Sequence, residues 1–157
     1  VESKVATKRR EVDWNLAVSG AASNFTIVLK DGTELSASLL AVSPDQDLAL
    51  LKVDQYQTPA LLPAAPQDIG QGVAVYAIGS PVGLRDSISA GVVSGIEATF
   101  IRIDAKIYPG NSGGPLILAN GRVIGVNTKK QITQKFEGIG YAIDIDTALR
   151  EFASYLR

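Results

Sequence analysis

Tyr108-Pro-Gly-Asn-Ser-Gly-Gly-Pro-Leu116 is the stretch on which the reading of this chain turns. Gly110, Gly113, Gly114 and Pro115 pin the backbone around one serine, Ser112. Glycine tolerates positive φ and lets backbone approach a ligand closely. A backbone bent this way can aim several N–H groups at one point. An oxyanion hole needs that arrangement, with donors ~2.7–3.1 Å from the developing charge. A glycine-rich hairpin between two strands has the same spacing, so spacing alone leaves both readings open.

Working outward, the flanks read as strand. Phe100 to Asp104 precedes the loop; Pro115 to Leu118, Val123 to Thr128 and Ile139 to Ile143 follow it. Asn120-Gly121 separates two of these and predicts a type I′ hairpin. Upstream, Val73 to Ile78 and Ser87 to Ile96 are further strand candidates. Near the start, Phe25, Ile27 and Leu29 alternate with polar residues, Asp31-Gly32 signals a tight turn, and Leu35, Ala37, Leu39 and Ala41 resume the alternation. Leu48 to Val53 is apolar throughout except Lys52. Many short strands with regular turn signals predict an all-β barrel or sandwich. One helix is expected at the end, capped by Asp146, with Leu149, Phe152, Ala153 and Leu156 on one face. The Pro-, Gln- and Ala-rich segment from Asp54 to Gln71 reads as an irregular connection between two halves.

Composition removes whole classes of function. The 157 residues fit one domain with a real core. Fifteen basic against sixteen acidic residues argue against an electrostatic nucleic-acid binder. No apolar run reaches the ~18 residues of a membrane span, and Val1 to Glu11 has no signal-peptide core. There is no cysteine, which excludes disulfides, thiolate metal sites and thiol catalysis. There is also no histidine, which removes the commonest general base and the commonest transition-metal ligand. No metal or cofactor is expected.

Gly110-Asn-Ser-Gly-Gly-Pro-Leu116 resembles the nucleophile motif of trypsin-like serine proteases, and its Gly-Asn-Ser form that of the HtrA/Deg branch. Ser43-Pro-Asp-Gln-Asp-Leu-Ala-Leu-Leu-Lys-Val53 is similar to the segment that carries the family's catalytic aspartate, which falls on Asp47. Ala77 to Leu84 and Ser89 to Ser94 resemble the opening strands of the second barrel. Gly121 to Thr128 and Gly138 to Ile143 resemble the strands after the nucleophile. The likeness runs from about residue 24 to 150 in the family's order. It implies a trypsin-like double β-barrel with a truncated N-terminal barrel and a C-terminal helix. The expected division is a partial first barrel over 1–58, a connection over 59–71, a second barrel over 72–145 and a helix over 146–157. The resemblance also implies a peptide-binding cleft and an extracytoplasmic, periplasmic setting, and it allows a homo-oligomer. The stretch between Ile96 and Asp104 is short where the branch resembled carries a longer regulatory loop, and no PDZ domain is expected within these residues.

The family's histidine lies before the aspartate. The best-matching segment, Val5-Ala-Thr-Lys-Arg-Arg-Glu-Val12, places Arg10 at that position; a second alignment places Leu16 there. Arginine stays protonated and cannot take the serine proton. Lys106 or Lys8 would have to serve in a Ser-Lys arrangement. The expected site is therefore Ser112 and Asp47, with Arg10 replacing the base. Gly110, Asn111 and Ser112 form the expected oxyanion hole, and Ile107, Val126 and Lys106 the pocket candidates. Arg10 could pair with Asp47 as a structural ion pair. Lys129, Lys130 and Lys135, the Lys8–Arg10 run and Trp14 read more simply as solvated or packing residues.

Two functions follow. One is a pseudoprotease that binds a polypeptide or unfolded segment without efficient hydrolysis. The alternative is a serine endopeptidase acting through Ser112, its base removed by engineering or supplied from outside this chain.

Overall fold

Alternating apolar residues build the first sheet. The computed structural model describes residues 24–54, 59–80, 87–128 and 138–156. Strands β1 (Asn24–Val28), β2 (Glu34–Ser43) and β3 (Leu48–Val53) pair antiparallel in that order. Ile27, Ala37 and Val53 are buried on its inner face, with Phe25, Leu29, Leu35 and Leu51 packed against them. A bulge leaves Leu40 without a partner, because Leu39 faces Leu51 while Ala41 faces Leu50. Beyond it, Leu48 and Leu50 turn to a different cluster, with Ile143 and Phe152. Strand β3 thus buries side chains on both faces, which is why its sequence lacks alternation.

Six further strands close on themselves. They are β4 (Ala74–Gly79), β5 (Ser87–Ile96), β6 (Phe100–Ile103), β7 (Pro115–Leu118), β8 (Val123–Thr128) and β9 (Gly140–Asp144). The barrel order is β4-β5-β6-β9-β8-β7, and β4 pairs with β7 to complete the ring. Val75, Ala77, Val93, Ile101, Ile103, Leu116, Ile124 and Ala142 fill it. The mix of branched and small side chains fits the narrow interior of a six-stranded ring. The connection before β4 is strapped down. Val123 N donates to Leu62 O and Ala64 N to Val123 O, both at 2.9 Å, and Ala64 enters the barrel core.

The turn signals are right in place and wrong in type. In each of the two hairpins only the glycine has positive φ, Gly32 at 88° and Gly121 at 80°. A type I′ turn needs two such residues. Each instead has a three-residue loop ending in a left-handed glycine, closed by Leu29 N to Thr33 O and by Leu118 N to Arg122 O. The middle residue sets the bend through its side chain. Thr33 N donates to Asp31 Oδ1 at 2.8 Å, and Arg122 N to Asn120 Oδ1 at 3.0 Å.

The terminal helix also differs from the expectation. Helix α1 spans Ile145–Glu151, and its N-cap is Asp144, which accepts from Thr147 N at 3.1 Å, rather than Asp146. Strand β9 runs directly into the cap, so no loop intervenes. Phe152 caps the other end and is buried, whereas Ala153, expected on the same face, is exposed. Phe152, Ala148 and Leu156 pack with Leu48 and Ile143, joining helix, barrel and first sheet.

Two consequences are measurable. No atom lies within 4 Å of a Cβ built at Gly121, so Gly121→Ala costs only the left-handed backbone. The expected loss is about 1 kcal/mol, read as a lower urea midpoint with an unchanged slope. The Thr33 N–H holds the Asp31 carboxyl below the ordinary aspartate range. A lowered folded value means that its contribution is complete above the ordinary aspartate pKa and is lost as pH falls through the lowered value. The Thr33 amide resonance should follow that titration, and Asp31→Asn should abolish the response.

Candidate active site at Ser112

The loop Tyr108–Gly114 between β6 and β7 is wound by its own backbone. Asn111 N donates to Tyr108 O at 3.0 Å, Gly114 N to Asn111 O at 2.9 Å and Gly113 N to Asn127 O at 2.8 Å. Gly110 and Gly113 have φ of 104° and 86°, conformations that glycine supplies cheaply. Gly114 is required for a different reason: a Cβ there would drive into the Ile78 carbonyl oxygen. The winding leaves Ser112 exposed. Among the described residues, the N–H groups of Gly110 and Ser112 have no acceptor, and the Ser112 hydroxyl has no hydrogen-bond partner. Of the three expected oxyanion donors, Asn111 is therefore withdrawn, because its N–H is committed to Tyr108.

The loop is anchored by a residue that the sequence reading did not single out. The β4–β7 ladder ends at Ala77 opposite Leu116. The next residue on β7 is Pro115, which has no N–H to continue it. Asn127, 1% exposed, supplies the missing donors: its Nδ2 reaches Pro115 O at 3.2 Å and Ile78 O at 3.4 Å. Its backbone holds Gly113 N and Gly114 O, each at 2.8 Å. One side chain thus bridges the barrel seam where the Ser112 loop enters β7.

Asp47 stands in the turn between β2 and β3, exposed, with φ of 56°. Its Oδ2 accepts a hydrogen bond from Thr128 Oγ1 at 2.7 Å. Thr128 follows Asn127, whose carbonyl accepts from Gly113. Asp47 and Ser112 are therefore linked through the C-terminal end of β8, across the gap between sheet and barrel. Thr128 is the second residue missed. The available signal was a polar pair, Asn127-Thr128, buried at the end of an apolar strand.

Two of the pocket candidates pack against different clusters. Ile107 packs against the barrel core, while Val126 packs with Leu48, Ile143 and Phe152. The reason is a bulge: Leu116 faces Gly125 and Ile117 faces Val123, so Ile124 is an extra residue and Val126 points the other way. Lys106 is exposed and makes no bond to Ser112. Arg10, Lys8, Trp14, Leu16, Lys129, Lys130 and Lys135 lie outside the described residues.

Asn127→Asp removes both amide donors and sets a carboxylate against two carbonyls. The expected cost is about 3 kcal/mol or more, seen as a fall in the chemical-denaturation midpoint. Asn127→Gln should recover little, because the added methylene has no room in a filled interior.

Comparison with known proteins agrees with this geometry. The family profile described as "Trypsin-like peptidase domain" matches residues 5–126. A "Probable periplasmic serine endoprotease DegP-like" of Halomonas elongata is 40% identical over 154 residues, covering 91% of this chain and 32% of that protein. The "Serine protease Do-like HtrA" of Bacillus subtilis is 37% identical over 145 residues, covering 82% and 32%. The chain thus spans about a third of the length of these curated relatives. Among solved structures, the HtrA-type protease AlgW with decapeptide superposes with a TM-score of 0.75 at 36% identity, covering 88% of this chain and 46% of that one. The serine endoprotease from Yersinia pestis gives 0.77 at 30% identity, covering 88% and 50%. A sheet and closed barrel in the order the motifs imply, with similarity running across both, mean that this chain belongs to the trypsin-like peptidase family, among the HtrA/DegP-type serine proteases.

Proposed function

We propose that this chain is a pseudoprotease of the HtrA type, which holds polypeptide in its cleft without hydrolysing it at a protease's rate. The observation that carries the reading is a serine hydroxyl with no hydrogen-bond partner among the described residues, in a chain with no histidine. A serine hydroxyl is a weak nucleophile unless a base takes its proton. Losing the serine or histidine of a subtilisin triad costs ~2 × 10⁶ in turnover, a barrier of roughly 8–9 kcal/mol. Gly110 and Ser112 serve as the oxyanion-type donors and Asp47 as the retained carboxylate. By alignment, Arg10 takes the place of the base. Polypeptide is the ligand class because a relative of the same fold carries a bound decapeptide. The relatives' names place them in the periplasm, and the same extracytoplasmic setting is proposed here.

One observation favours the endopeptidase reading as second. Asp47 is still held by Thr128, and the Ser112 loop is still wound. A wound serine loop beside an anchored carboxylate is the state left when a base alone is removed or supplied from elsewhere.

The purified chain should degrade labelled casein at a rate about 10⁶-fold below that of a competent protease, and a fluorophosphonate probe should leave Ser112 unlabelled over minutes. Arg10→His should restore measurable cleavage. Rapid casein turnover by the unaltered chain would end the pseudoprotease reading.

A further inference from the structure

We infer that the Ser112 loop captures the free C-terminal carboxylate of a peptide in preference to an internal peptide bond. The inference rests on the reading of the cleft as a polypeptide site and names which part of a polypeptide it takes.

Among the described residues, the main-chain groups that Ser112 and Gly110 leave without partners are donors. The N–H of Gly110 and the N–H of Ser112 have no acceptor among the described residues, and the intervening Asn111 N–H is turned inward to Tyr108. The Ser112 hydroxyl is the third donor. In a chain with histidine that hydrogen would be directed at the imidazole. Here no imidazole exists, so the hydrogen is free to turn toward a ligand. An ionised carboxylate accepts only, through two oxygens with about four lone-pair sites. One oxygen can lie between the two N–H groups while the other accepts from Ser112 Oγ. An internal amide offers a single neutral carbonyl oxygen, and its N–H would meet no base. Hydrogen bonds to a charged acceptor are about twice as strong as neutral ones, and backbone N–H clusters of this kind capture terminal carboxylates.

Asp47 opposes the effect. Its carboxylate sits across the β8 terminus, exposed, with one oxygen held by Thr128. Solvent weakens its repulsion without removing it. Losing that charge should therefore strengthen capture of an anion, whereas in a working triad the same change destroys activity.

The experiment compares two forms of one fluorescein-labelled peptide ending in valine, the free acid and the C-terminal amide, by anisotropy with the full chain. The free acid should bind about tenfold more tightly. Ser112→Ala should narrow that ratio and Asp47→Asn should widen it. Equal affinity for acid and amide, or tighter binding of the amide, would overturn carboxylate capture while leaving the polypeptide-binding reading intact. Binding of neither form would overturn both.

Discussion

A proline without an N–H and an asparagine with two set the geometry of this molecule's working end. Pro115 begins β7 where the ladder to β4 would otherwise continue, and it brings no donor. Asn127, reaching over from β8, gives one side-chain nitrogen to both stranded carbonyls. The side chain thereby extends the β4–β7 seam past the end of its backbone ladder. The same residue's backbone grips the Ser112 loop. The seam and the placement of the serine thus share one residue.

A second junction carries the other half of the site. The bulge at Leu40 lets β3 divide its side chains between the first sheet's core and the cluster of Leu48, Ile143 and Phe152. A matching bulge at Ile124 turns Val126 into that cluster. These irregularities interlock sheet, barrel and helix. The Asp47 turn can then reach Thr128 from 81 residues away in sequence. Without the apolar joint, a single 2.7 Å hydrogen bond near the surface would be too weak to hold two units in register.

Much of this was legible in the residues. The extents Leu48–Val53, Ser87–Ile96, Pro115–Leu118 and Val123–Thr128 follow from runs of branched residues between turn signals. The Ser112 loop announces itself through its glycines. What stayed hidden has identifiable causes. Asp31-Gly32 and Asn120-Gly121 look the same whether one or both residues take positive φ, because the choice depends on loop length. Asp146 reads as the cap from the residues alone, and only the end of β9 puts Asp144 in that place. Val126 joins the cluster of Leu48, Ile143 and Phe152 because a bulge on a neighbouring residue shifts the alternation, which the sequence does not report. Asn127 and Thr128 carry roles fixed by partners about 50 and 81 residues distant, and no local pattern reports such partners.

Asp47 is held in the left-handed region at φ 56°, a conformation that non-glycine residues seldom adopt. The strain is met once, when the chain folds, and Thr128 then orients one oxygen of the side chain. The carboxylate is thus aimed before any ligand arrives. A cation docking beside it, whether a side chain of this protein or a group on a visiting molecule, meets a counter-ion that has already given up part of its rotamer entropy.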